Sequence, residues 1–89
     1  MIIVKNAAAG TLESSDAYVE VSPSGKLSVE ISSVVYAQYG EAIEKIVNET
    51  LKELDLTEGS IKVNDRGAVD CVIAARVETA VKRGGGERA

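Results

Sequence analysis

The sequence predicts a small α+β domain, in which an antiparallel β-hairpin and at least one further strand form a sheet that two helices cover on one face. Three observations lead to this prediction. Apolar and polar residues alternate in two short runs, as they do in half-buried strands. Two longer segments repeat apolar residues at three- and four-residue spacing, as amphipathic helices do. The chain has 89 residues, which is the length of one domain.

The hairpin is predicted from the N-terminal third of the chain. Alternation runs through residues 17–22 and again through residues 27–32, and the sequence SPSG at positions 22–25 lies between them. Proline and glycine at these positions favour a tight turn, so the two runs are expected to pair directly. Residues 2–8 are apolar enough for a further short strand, and residues 10–16 are expected to form a loop.

The first helix is expected from about residue 35 to residue 54, with Ser32 or Ser33 as a possible N-cap. Its spacing places six residues on one apolar face. They are Ile43, Ile46, Val47, Thr50, Leu51 and Leu54. This face is expected to pack on the sheet, and the helix must end before Gly59.

The second helix is expected from about residue 67 to residue 82, after a short strand around residues 61–63. Asp65 is a candidate cap for it, because its carboxylate can accept the free N–H groups of a first turn. The apolar side comprises Val69, Val72, Ile73, Val77 and Ala80, and Cys71 is interpreted as a small buried residue beside it. The folded domain is predicted to span residues 1–83, and residues 84–89 to form a flexible tail.

Composition excludes several classes of function. The formal charge of −4 argues against nucleic acid as the main partner, because phosphate binding needs a basic patch. No apolar run is long enough to cross a membrane. A single cysteine and the lack of a signal-like segment at residues 1–5 indicate a cytoplasmic protein. With so few aromatic residues the core must be aliphatic, and Tyr36 and Tyr39 are expected to support it, whereas Tyr18 is left open.

The candidate site is the predicted loop at residues 10–16. It places two adjacent hydroxyls, Ser14 and Ser15, between the carboxylates of Glu13 and Asp16. The chain has no histidine, so neither serine has an obvious base to activate it as a nucleophile. An exposed loop hydroxyl is nevertheless a good acceptor for a second enzyme, although chemistry alone does not separate the two serines. The acids either contact a basic partner or only keep the loop in water.

Four segments carry a resemblance to a known family. They are residues 9–16 (AGTLESSD), 39–43 (YGEAI), 65–72 (DRGAVDCV) and 75–78 (ARVE). In this order the segments resemble the acyl carrier protein, or gamma subunit, of citrate lyase, and the likeness extends over about residues 7–81. The first segment is the most specific, because its residue order is not that of a generic turn.

The resemblance implies that Ser14 carries 2'-(5''-phosphoribosyl)-3'-dephospho-CoA through a phosphodiester, and that the thiol of this arm holds acetyl or citryl. It also implies partners: the alpha (transferase) and beta (lyase) subunits of citrate lyase, a prosthetic-group transferase and an acetylating ligase. The chain itself would be a non-catalytic carrier without a metal site.

Two alternatives stay open. The first is a carrier for citramalate lyase or malonate decarboxylase, since such subunits bear the same kind of arm. The second is a structural or adaptor domain without a cofactor. The role of Asp65 is divided between capping and docking, and Arg76 has several possible partners, namely Asp70, Glu78, Glu41 and the phosphates of the arm.

Overall fold

A computed structural model describes residues 1–86 and confirms the predicted α+β class. Four strands form one sheet and two helices cover one of its faces. In chain order the elements are β1 (Ala7–Gly10), β2 (Ala17–Ser22), β3 (Leu27–Ser33), α1 (Tyr36–Glu53), β4 (Gly59–Asp65) and α2 (Asp70–Gly84). Within residues 1–86, neither helix has the length and apolarity that a membrane span requires.

The strand order is β1-β2-β4-β3, so the predicted pairing of β2 with β3 is wrong. β4 lies between them, antiparallel to β2 and parallel to β3. The hairpin of this sheet is instead formed by β1 and β2. The four residues between β2 and β3 can span the roughly 10 Å across one inserted strand, because an extended chain advances about 3.3 Å per residue. A short connection therefore did not require direct pairing.

The burial of the strands explains why β4 is central. Gly59, Ile61, Val63 and Asp65 of β4 are all buried, whereas β3 has no buried residue. A strand whose inner face is buried along its whole length gains most from neighbours on both sides, and the more exposed β3 is suited to the edge of the sheet. The helix α1 then makes the long crossover that a parallel pair of strands needs.

The core lies between the sheet and the two helices. Alternate residues of β2 and β4 face the helices, and α1 contributes three buried apolar side chains and α2 four. The buried helical residues are Ile43, Val47 and Leu51 of α1 and Ile73, Val77, Ala80 and Val81 of α2. The predicted faces of both helices are thus confirmed, with two differences in α2: Val72 is only half-buried, and Val69 is 65% exposed.

The helix caps differ from the prediction. Helix α1 begins after Val35 and has no side-chain cap; the hydroxyl of Ser33 accepts the N–H of Val35 but lies outside the helix. Helix α2 begins three residues later than expected, and its N-cap residue is Val69, again without a side-chain bond. The cause is Gly67, whose φ of +91° is incompatible with a right-handed helix.

The end of α2 packs against the sheet more closely than a tail would. Gly84 closes the helix and is buried, and a Cβ at this position would lie 2.6 Å from a methyl group of Val21. Its carbonyl accepts the N–H groups of Val4 and Lys5. Gly84 therefore belongs to the folded domain and not to the predicted tail, and residues 87–89 lie outside the described part of the chain.

Candidate functional site

Three connections meet at one end of the sheet. The pairings of Ala17 and Ser33 with Asp65 place the start of β2 and the ends of β3 and β4 side by side. The loop at residues 11–16, the link into α1 at residues 34–35 and the link into α2 at residues 66–69 therefore lie together. The carboxyl ends of parallel strands commonly form ligand sites in open sheets that contain helices.

Ser14 lies at the apex of a four-residue turn in this end. The N–H of Asp16 donates to the carbonyl of Glu13 at 3.2 Å, so Ser14 and Ser15 are the central residues. Ser15 has a φ of +65°, as the second central residue of a type II turn requires. Ser14 is exposed, and its hydroxyl makes no hydrogen bond within residues 1–86. A second enzyme could thus reach it without displacing an internal partner.

The turn is fastened to the body of the domain by backbone contacts. The N–H of Ser15 donates to the carbonyl of Arg66 at 2.9 Å, and the N–H of Arg66 donates to the carbonyl of Asp16 at 2.9 Å. Gly10 has a φ of +89°, and a Cβ there would lie 1.8 Å from the carbonyl oxygen of Ala17. Only glycine permits this close entry into the loop.

Asp16 is the polar centre of the loop. Its carboxylate accepts two bonds from Arg76, Nε at 3.0 Å and a terminal nitrogen at 3.2 Å. It also accepts the hydroxyl of Thr11 at 2.7 Å and the N–H of Ala17 at 2.7 Å. The bonds from Arg76, followed by those from Thr11 and Ala17, lower the pKa of Asp16 from 3.8 to about 2. The carboxylate is therefore charged and already satisfied within its own chain.

This pairing gives Arg76 a partner that was not among those considered, and it decides against docking as the role of Asp16. Arg76 contacts none of the protein partners considered for it, and its ion pair is with Asp16, 60 positions away in the sequence. Asp16 serves the geometry of the loop and is not a free docking acid. Glu13 does remain exposed, and within residues 1–86 its carboxylate has no partner.

Asp65 holds together the link into α1 at residues 34–35 and the link into α2 at residues 66–69, and it does not cap α2. Its carboxylate is fully buried, accepts the hydroxyl of Ser33 at 2.8 Å and accepts the N–H of Ala68 at 2.9 Å. Its own carbonyl accepts the N–H of Val34. Ala68 precedes the helix, so the capping interpretation is wrong, and the aspartate fixes the turn from β4 into α2 instead.

Three aromatic or thiol side chains are more exposed than expected. Tyr36 and Tyr39 are 45% and 59% exposed, so the prediction that both support the core is wrong. The hydroxyl of Tyr36 donates to Glu44, and this carboxylate raises the pKa of the tyrosine. Cys71, expected to be buried, lies in the first turn of α2 and is exposed, because the buried face of the helix begins at Ile73. Tyr18 is half-buried.

An apolar groove lies at the same end of the domain and was not predicted. It separates the start of α1 from the link into α2 and encloses about 580 Å³. Its walls include Val35, Tyr39, Ala68, Val69 and Cys71, and we call it the α1–α2 groove. Sequence patterns could not reveal it, because its residues are brought together from two separate connections.

The reactive group that this end of the domain presents to solvent is the hydroxyl of Ser14. The residues described, 1–86, contain no group of three or more side chains placed to bind a metal ion. The chain has no histidine to act as a base for Ser14. The open, unpaired hydroxyl on a braced turn fits a large group attached from outside, since nothing in the loop encloses it. An exposed hydroxyl without a base of its own is the chemistry expected of a carrier domain.

Comparisons with known proteins agree with this class. Residues 4–84 match the acyl carrier protein family described as malonate decarboxylase delta subunit. The citrate lyase acyl carrier protein of Pectobacterium atrosepticum is 57% identical over 84 residues, which cover 93% of this chain and 88% of that protein. The protein of the same name from Haemophilus influenzae strain PittEE is 52% identical over 83 residues, 93% and 87% of the two chains. The chain therefore belongs to the citrate lyase acyl carrier protein family.

A solved structure shows the same fold. A chain of a Pseudomonas malonate decarboxylase hetero-tetramer in complex with malonate superimposes with a TM-score of 0.82. The match covers 96% of this chain and 89% of the other, at 22% sequence identity. At this identity the likeness concerns the fold alone. The mixed four-stranded sheet with two helices is thus shared with a protein that works in a complex.

Proposed function

We propose that this chain is the acyl carrier subunit of a citrate lyase, and that Ser14 carries 2'-(5''-phosphoribosyl)-3'-dephospho-CoA through a phosphodiester. The observation that carries this proposal is the position of Ser14 at the apex of a braced turn, exposed and without an internal hydrogen bond. Relatives more than half identical bear the name of citrate lyase acyl carrier protein, which supports the choice of complex.

The chain supplies position, and its partners supply the chemistry. When attached, the arm offers a thiol on which acetyl or citryl is held as a thioester, which activates the carbonyl toward exchange and cleavage. The oxygen of Ser14 forms a new bond to a phosphorus of an activated donor, the bond from that phosphorus to its phosphate-type leaving group breaks, and the donor must therefore carry such a group. The proton of Ser14 passes to a base of the modifying enzyme, because its hydroxyl is hydrogen-bonded to no base within residues 1–86. The chain is therefore proposed to be non-catalytic by itself.

The bracing of the loop has a consequence for attachment. The bonds of Arg76 and Thr11 to Asp16, and the backbone contact of Ser15 with Arg66, hold the turn in one conformation. A fixed hydroxyl costs a modifying enzyme less ordering entropy than a mobile one does. Glu13, exposed beside Ser14, is then the acid best placed to meet a basic surface of that enzyme.

The proposed partners act in turn on the same arm. They are a prosthetic-group transferase, an acetylating ligase, and the alpha and beta subunits of citrate lyase, in the cytoplasm and without nucleic acid. A tether raises the effective concentration of the acyl group at each active site, so one carrier can serve two catalytic subunits. The net charge of −4 is compatible with docking on basic protein surfaces.

A carrier subunit of malonate decarboxylase is the second candidate. It is favoured by the description of the matching family and by the fold shared with a chain of the Pseudomonas hetero-tetramer. Citrate lyase is preferred because the relatives of that name share about half of all residues with this chain. A citramalate lyase would need the same carrier, so the catalytic subunits decide the substrate.

Attachment is tested by producing the chain together with the transferase and measuring the intact mass. Wild type is expected to gain the mass of one arm, and Ser14→Ala is expected to gain none. The matched control is Ser15→Gly, because glycine accepts the positive φ at this position where alanine would be strained. The control should be modified like wild type. Arm on the Ser14→Ala protein would contradict the assignment.

The choice of complex is tested by reconstitution. The loaded, acetylated carrier is combined with the alpha and beta subunits of citrate lyase, or with the catalytic subunits of malonate decarboxylase. Oxaloacetate formation with the first set and no decarboxylation with the second is the expected result. The opposite pattern would assign the chain to malonate decarboxylase.

A further inference from the structure

The α1–α2 groove has the size and lining of a small-molecule site. Its volume of about 580 Å³ falls within the range of roughly 300–1,000 Å³ found for ligand pockets. Val69 and Tyr39 on its walls are 65% and 59% exposed, so the apolar surface here is open. Side chains of this size are seldom left exposed together without a partner.

The groove adjoins the turn that presents Ser14. Asp65 and Gly67 line the groove, and Arg66 between them exchanges two backbone hydrogen bonds with Ser15 and Asp16. The segment at residues 65–69 is thus a common wall, with the turn on one side and the groove on the other. A group attached to Ser14 starts within a few residues of the apolar surface.

We propose that the α1–α2 groove binds the pantetheine and thioester part of the arm, so that the arm rests on its own subunit between transfers. This inference rests on the proposed attachment at Ser14. It commits to the arm as occupant because the arm is tethered beside the groove, and a short flexible tether gives an effective concentration on the order of millimolar. An affinity of about 1 mM then suffices to fill the groove half of the time.

The chemistry of the groove suits this occupant. Pantetheine is a neutral chain with amide groups separated by apolar carbons, and the walls are mainly apolar. Asp70 and Cys71, the first residues of α2, also line the groove, and α2 begins without a side-chain cap. The N–H groups of Val72 and Ile73 donate to the carbonyl of Val69, whereas those of Asp70 and Cys71 have no partner within residues 1–86 and are available to amide carbonyls.

Cys71 provides a direct measure of occupancy. It is the only cysteine of the chain, it is exposed, and it lines the groove. When the arm is acetylated, Cys71 is the sole free thiol, so the rate of its alkylation by iodoacetamide can be read from the intact mass. The full-length acetylated carrier should react at least about twofold more slowly than the unmodified chain, since half-occupancy halves the accessible fraction.

A matched pair of variants separates the groove from general effects. Val69→Asp places a charge on the groove wall, and aspartate is well tolerated at an N-cap position. Val4→Asp changes a residue of similar exposure, 62%, that does not line the groove. Each acetylated variant is compared with its own unmodified form. Protection should disappear in Val69→Asp and persist in Val4→Asp.

The position of the acyl end gives a second readout. An isotope-labelled acetyl methyl group on the arm should show nuclear Overhauser contacts with Val69 and with the ring of Tyr39. Contacts only with residues 11–16 would contradict the proposal.

The outcomes distinguish this inference from the attachment itself. If the arm is on Ser14 but Cys71 is alkylated at the same rate in the acetylated and the unmodified wild-type protein, the binding of the arm in the groove is refuted and the attachment stands. Protection that requires added alpha or beta subunit also refutes the binding of the arm in the groove, and identifies the groove as a protein interface instead. A chain that receives no arm in the presence of the transferase refutes the proposed function and, with it, the inference.

Discussion

Replacing Asp65 by alanine is predicted to destabilise the domain strongly. The substitution removes the acceptor for the hydroxyl of Ser33 and for the N–H of Ala68, both of which are partly buried. Hydrogen bonds to a charged group are worth about 1.5–3 kcal/mol each, so the loss should be about 3–6 kcal/mol. Total stabilities are about 5–15 kcal/mol, and the variant should therefore be marginal.

Urea denaturation followed by circular dichroism measures this loss. With a slope of about 1.5 kcal/mol per molar urea, the midpoint should fall by about 2–4 M. Ser32→Ala is the matched control: Ser32 is an exposed neighbour without a side-chain bond in residues 1–86, and its change should stay within about 0.5 kcal/mol. A loss below about 1 kcal/mol for Asp65→Ala would refute the view that this carboxylate holds the two connections together.

A double-mutant cycle identifies the partner. Ser33→Ala should cost clearly less in the Asp65→Ala protein than in wild type, with a coupling of about 1–2 kcal/mol. Independent, additive losses would mean that the bond between the two side chains contributes nothing, and that Asp65 acts only through Ala68.

Three further predictions concern the core and the loop. Leu51→Ala should lower the free energy of unfolding by about 2–5 kcal/mol, because the side chain of Leu51 is 97% buried between α1 and the sheet. A change below about 1 kcal/mol in urea denaturation would mean that this face of α1 does not pack on the sheet. Gly10→Ala should cost at least about 1–3 kcal/mol by the same measurement, since its φ is positive and a Cβ would clash with the carbonyl of Ala17; a neutral result would contradict this geometry. In an NMR titration the carboxylate of Asp16 should show a pKa of about 2, below its ordinary value of 3.8, and Arg76→Gln should raise this pKa. Because the pKa is lower in the folded than in the unfolded protein, the stabilisation by Asp16 is complete above about pH 4. It is lost as the pH falls through about 2. An unchanged pKa of Asp16 in the Arg76→Gln protein would show that the ion pair is not the main cause of the lowered pKa.

Local patterns predicted the elements of this fold, because each pattern depends on residues close in sequence. The alternation at residues 17–22 and the helical spacing at residues 43–54 both correspond to observed elements. Strand neighbours could not be predicted in this way. Whether β2 pairs with β3 or with β4 depends on how much apolar surface each choice buries, and a short connection permits both.

The site was predicted in composition but not in arrangement. The loop and its exposed Ser14 follow from residue types, whereas the pairing of Asp16 with Arg76 links positions that no local pattern connects. The exposure of Val69 was missed for a specific reason. Asp65 resembles a helix cap, but its carboxylate binds Ala68 within a turn, and the helix begins only after Gly67 has reversed the chain.

The central claim is that this chain is a carrier modified at Ser14, and peptide mapping of the protein isolated from its native host tests it most directly. Fragmentation of the peptide that contains residues 11–16 should place the mass of one phosphoribosyl-dephospho-coenzyme A on Ser14, with Ser15 unmodified. An unmodified peptide from a complex that actively cleaves citrate, or the arm on Ser15, would contradict the account.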